Sequence, residues 1–140
     1  EGLGAVIGAA SVAFLATPAR FRQVYFTGAM VFMVCIVIFS RVESFWLALP
    51  VLIVGGFGMA GFGAMQSTLI VANTPAEMRN RVMGTLAMAI GAQPLGILTV
   101  GFLAEHLGPD TGVLVSAGAG VIVCALAGIV WPEMTRKRAA

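Results

Sequence analysis

Five long apolar runs alternate with short polar segments along the chain, at about 2–17, 24–40, 45–72, 82–104 and 111–131, and none of the five contains Asp, Glu, Lys, Arg or His. A helix rising ~1.5 Å per residue needs roughly 20 apolar residues to cross a hydrocarbon core of ~30 Å. The pattern therefore predicts an all-α membrane protein with five transmembrane helices, here called runs a to e, followed by a basic tail at 133–140.

Composition agrees. Hydrophobic residues make up 59% of the chain and charged residues 10%, with a mean hydropathy of +1.00, against about 45–50% and 25% in soluble domains. A net charge of +2 is too small to point to nucleic acid. Cys35 and Cys124 lie inside apolar runs without metal-site spacing and read as small packing residues. The chain starts at Glu1, with run a beginning at once, so it reads as a fragment or a processed piece.

Small residues are arranged in stripes. Gly4 and Gly8 form a G-x-x-x-G pair in run a, and Gly56, Ala60, Ala64 and Thr68 recur every four residues in run c. Lipid supplies little hydrophobic force between helices, so small residues that allow close backbone approach mark packing faces. Gly56, Gly58 and Gly61 also spell G-x-G-x-x-G, with Glu77 downstream. A dinucleotide fingerprint needs a strand, a turn and a helix start at that point; an unbroken apolar run offers none, so packing is the reading. Run b ends in V-F-M-V-C-I-V-I-F, bulky on every side, which predicts lipid contact at the bundle's periphery.

Two breaks carry more chemistry. Asn73 to Gly84, N-T-P-A-E-M-R-N-R-V-M-G, is a charged segment between runs c and d. Thr74-Pro75 ends one helix, and Thr74 with Glu77 fits a capping box for the next. Glu77, Arg79 and Arg81 are expected to form an ion-pair hinge, the alternative being a solvated loop that faces the lipid head groups. The second break is Gln93-Pro94, at the midpoint of run d. A glutamine amide at bilayer depth needs a partner or water, and proline frees a carbonyl one turn back. Interrupted helices of this kind are where transporters bind solutes. Gln93 and Pro94, with Gln66 and Ser11, are the candidate solute-cavity residues. His106, beside Glu105 in a Gly-Pro connector, reads as a solvated loop histidine.

Orientation follows from Lys and Arg. The a/b turn with Arg20 and Arg22, the c/d segment with Arg79 and Arg81, and the tail hold two, two and three; the opposite side holds Arg41 alone. By the positive-inside rule the start lies outside and the tail in the cytoplasm.

The run S-T-L-I-V-A-N-T-P-A-E-M-R-N-R-V-M-G at 67–84, then Q-P-L-G at 93–96 and G-F-L-A-E-H-L-G-P at 101–109, resembles the major facilitator superfamily, in its prokaryotic branch of effector and drug exporters. The resemblance covers the whole chain as helices eight to twelve, part of a six-helix half. Members commonly carry Gly where this chain has Asn80. What the resemblance implies is secondary transport by alternating access in the bacterial inner membrane, with small solutes exported. It also implies a missing N-terminal half of the same transporter, runs a and d facing the central cavity, and runs b and e outside. Glu77, Arg79, Arg81, Arg20 and Arg22 would then serve the cytoplasmic gate and topology.

The expected partners are a small-molecule substrate and the lipid bilayer, with no nucleic acid and no cofactor. No triad, carboxylate pair or metal cluster appears, which argues against an enzyme. A reading from another class is a non-transporting transmembrane scaffold whose small-residue stripes serve assembly with partner helices.

Overall fold

The computed structural model describes residues 1–15 and 17–132; the basic tail lies outside the described residues. Apart from short turns these are helical: α1 (Gly2–Leu15), a 3-10 turn at Pro18–Arg20, α2 (Phe21–Phe39), α3 (Phe45–Asn73), α4 (Ala76–Gly91), α5 (Gln93–Leu107) and α6 (Pro109–Val130). There is no strand among the described residues.

Four stretches are long and apolar enough to cross a membrane: Phe21–Phe39, Phe45–Asn73, Ala76–Leu107 (α4 and α5 together) and Pro109–Val130. The first helix is apolar but shorter. Helices extend past the apolar runs where helix-favouring polar residues adjoin them. Thus α2 begins at Phe21 and takes in Arg22 and Gln23, and α4 begins at Ala76, one turn and more ahead of run d.

The helix ends follow from local chemistry. Pro18 opens the 3-10 turn, and the Arg20 amide donates to the Thr17 carbonyl over 2.8 Å. Gly108 alone separates α5 from α6; its φ of 86° lies in the left-handed region that glycine adopts without a Cβ penalty. At the other break Pro75 takes the N-cap position of α4 with ψ 146°, and no side chain caps the helix. The expected Thr74–Glu77 capping box is not made. With Pro75 at N-cap, Thr74 falls one residue too early and Glu77 one too early for the N-cap and N3 positions that the box requires.

Neighbour relations place the helices in a row. α3 packs against α1 and α2, α2 also against α6, and α6 also against α5. The α4 start touches α3. α2 therefore sits between two helices of the row, while its bulky residues Val31, Val34, Ile38 and Phe39 stay exposed. Two of its small residues make this possible: Gly28 and Cys35 are buried.

Burial is the inverse of a soluble domain. The buried apolar side chains are Cys35, Met65 and Ala117, whereas Phe14, Trp46 and Met88 are 89%, 80% and 79% exposed, and no polar side chain among the described residues is buried. Apolar side chains point outward and small residues fill the seams, the distribution expected of helices solvated by hydrocarbon.

Candidate functional site

The seams are built on glycine. A Cβ placed on Gly4 would collide with the Ile53 backbone, one on Gly56 with the Glu1 carbonyl, and one on Gly8 would lie 2.9 Å from the Phe57 backbone and 3.0 Å from the Ala60 Cβ. Gly4, Gly8, Gly56 and Ala60 thus belong to one α1–α3 contact. Ala64, further along the same stripe, is exposed. On another face of α3, Gly58 and Gly61 receive α2 at Gly28 and Val24. The glycines of the G-x-G-x-x-G string consequently serve two different neighbours.

α1 and α2 both lie on α3 without packing on each other. The gap between them is a cavity of about 270 Å³ lined by Ser11, Val12, Arg20, Val24, Thr27, Gly28, Val31, Phe57, Gly58 and Gly61. Ser11 donates its hydroxyl to the Ile7 carbonyl over 2.8 Å, and Thr27 to Gln23 over 2.7 Å. Each hydroxyl oxygen keeps its lone pairs for a ligand donor.

Gln93 lies elsewhere. It opens α5 directly after the turn residue Ala92, with Pro94 in the first turn of that helix. Ala89, Ala92, Gln93, Gly96, Ile97, Val100 and Gly101 line a shallow groove along α4 and α5. No residue of either helix is buried, and both Gln93 and Pro94 are exposed. Gln66 is half-buried on α3 and lines neither surface. The four solute-cavity candidates are therefore not gathered into one pocket: Ser11 faces the α1–α2 gap, and Gln93 the outer groove.

Among the charged candidates, Arg79 has the defined role. Its Nη2 donates to the Val71 carbonyl in the last turns of α3 over 3.0 Å, and its Nε is shielded from solvent without a partner. The expected ion pair with Glu77 does not form; Glu77 and Arg81 are exposed. Glu77 and Arg79 are two residues apart on α4 and so point away from one another, while the last carbonyls of α3 lack intrahelical donors and attract the guanidinium. Arg20 lines the α1–α2 cavity at the connector, and Arg22 is half-buried near the start of α2.

His106 falls in the last turn of α5 instead of a loop. It is exposed, its Nδ1 is 2.9 Å from the Phe102 carbonyl, and its ring lies 4.2 Å from that of Phe102. No protein family, curated protein or solved structure matches this chain.

Sequence reasoning missed Thr27, Gly28 and the Arg79–Val71 contact. Gly28 had a readable signal, an isolated glycine in a bulky run, which marks a close approach. A side chain reaching back across a turn has no sequence signature.

Proposed function

We propose that the chain is part of a secondary transporter of the major facilitator kind, one that exports small solutes across a bacterial inner membrane by alternating access. The observation that carries this reading is the division of the 32-residue apolar stretch Ala76–Leu107 at Ala92, with Gln93 uncovered beside the break. An amide and loosened backbone midway along a membrane-crossing helix are useful to a passing solute and costly to a helix that only anchors. The groove at Gln93 would face the solute path, with Pro94 and the adjoining glycines allowing the helix to flex as the two halves rock. The apolar runs hold no Asp, Glu, Lys, Arg or His, the groups that mark ion pathways in membranes, so an ion-coupling residue would belong to the other half.

The test is efflux by the complete transporter carrying Gln93→Ala, assayed with several solutes. A change in KM for at least one of them supports the site; unchanged transport of all removes Gln93 from it. The glycine-built seams also suit a scaffold that only assembles with partner helices. A complete polypeptide holding about seven further apolar spans favours the transporter, and one without them favours the scaffold.

A further inference from the structure

We propose that the gap between α1 and α2 over α3 binds a single-chain amphiphile with an anionic head group. The site is separate from the groove at Gln93 and does not depend on the transport reading.

Shape comes first. Arg20, Val24, Thr27, Gly28 and Val31 follow one face of α2 and its connector, and the steps from residue 20 to residue 31, at ~1.5 Å each, make this face roughly 16 Å long. The slot is narrow because its floor is backbone: Gly28 and Gly58 carry no side chains, and Val12 and Phe57 close the other side. Its volume of about 270 Å³ lies just below the ~300–1,000 Å³ of sites for drug-sized ligands. A slender chain fits such a slot; a two-chain lipid cannot enter it whole.

Polarity is graded along the same axis. Arg20 stands at the connector, where run a gives way to polar residues, and its guanidinium makes no hydrogen bond or ion pair among the described residues. Ser11 and Thr27 provide hydroxyl oxygens further in, and Val31 and Phe57 line the far part. An anionic head would meet the Arg20 charge in the interfacial zone, where competing water is reduced, while the chain covers the apolar wall. Neutral or cationic heads gain nothing from that arrangement.

The experiment uses the complete natural polypeptide that contains this chain, reconstituted in phosphatidylcholine nanodiscs at pH 8. The probe is nitroxide-labelled stearate, and the readout is its motionally restricted fraction by electron paramagnetic resonance. Labelled phosphatidylcholine and phosphatidylglycerol are the comparison lipids. Stearate is expected to be restricted in preference to both. Arg20→Gln, at an exposed position that tolerates change, should lower the stearate preference about fivefold, the worth of one interfacial cation toward an anionic head. Gly61→Ala places a methyl 3.4 Å from Val24 Cγ1 and 3.9 Å from Val12 Cγ2, inside the slot without a backbone clash, and should reduce stearate binding; Gly63→Ala, whose Cβ meets nothing within 4 Å, should not. Equal restriction of phosphatidylcholine, an unchanged preference in Arg20→Gln, or identical behaviour of Gly61→Ala and Gly63→Ala would each overturn the proposal. Phosphatidylglycerol restricted as strongly as stearate would assign the slot to bilayer lipid and overturn the single-chain ligand.

Discussion

Gly28 on α2 and Gly58 on α3 meet backbone to backbone: a Cβ on Gly28 would lie 2.6 Å from the Gly58 carbonyl oxygen, and one on Gly58 would lie 2.8 Å from the Gly28 oxygen. The contact is reciprocal, so neither helix can accept even a methyl group without separating. It explains how a helix as bulky as α2 packs along α3. The close approach is confined to a few glycines, and Phe32, Cys35 and Val24 then settle around it.

Gly28→Ala and Gly58→Ala are each expected to destabilise the helical assembly by about 1–3 kcal/mol, the usual cost of overpacking. Gly63→Ala, on the same helix but facing open space, should be neutral or slightly stabilising, because alanine is the better helix former. Denaturant titration in detergent, followed by circular dichroism, distinguishes the three. Equal stability of Gly58→Ala and Gly63→Ala would contradict the backbone contact.

Arg79 is expected to hold the α3–α4 junction through the Val71 carbonyl. Removing a charged donor from such a bond costs roughly 1.5–3 kcal/mol, less at a partly exposed position. Arg79→Ala should therefore raise amide exchange at the end of α3 and the start of α4, while Glu77→Gln leaves it unchanged. A comparable effect from Glu77→Gln would restore the ion pair that the geometry replaces.

Pro94 removes the amide that would bond the Ile90 carbonyl. Pro94→Ala should join α4 and α5 across Ala92 and slow exchange of the amides of Ala92, Gln93 and Leu95 relative to the wild type. In the proposed transporter the same change would lower the turnover rate more than it alters binding, since the turn at Ala92 would be what bends. Exchange at Ala92, Gln93 and Leu95 that is already as slow in the wild type as in the helix centres would show that the break is not a flexible point.

The charge asymmetry predicts sidedness. With Cys35 and Cys124 replaced by alanine, a single cysteine at position 41 should react with an impermeant maleimide added to intact cells. One at position 74 should react only after the membrane is opened. The reverse labelling would overturn the orientation drawn from Arg20, Arg22, Arg79 and Arg81.

Much of the fold was legible because lipid-compatible helices leave a coarse trace. The charge-free runs mark helices, and Pro75, Pro94 and the Gly108-Pro109 pair mark where they end or break. The start of α2 shifted by several residues, since a helix does not stop where apolarity stops, whereas α4 begins at Ala76, beside the Pro75 break that marks its start in the sequence. The candidate site was less legible. Gln93 was conspicuous as an amide in an apolar run, but nothing local to it tells whether Ser11 and Gln66 share its surface, and they do not.

By itself, the sequence determined that this is a helical chain with apolar, bilayer-length segments, which glycines allow close packing, and where a proline interrupts the ladder. These are properties of single segments, set by hydropathy, side-chain volume and backbone hydrogen bonding. Only the tertiary structure decided which stripe meets which. Gly4 and Gly8 take the Gly56–Ala60 face of α3, Gly28 takes Gly58, and α2 lies inside the row. The physical reason is that a smooth glycine face fits many partners equally well, and the choice among them is made by the crossing of whole helices. The same crossings leave the α1–α2 gap, lined by Arg20 at the connector and by Phe57 of α3.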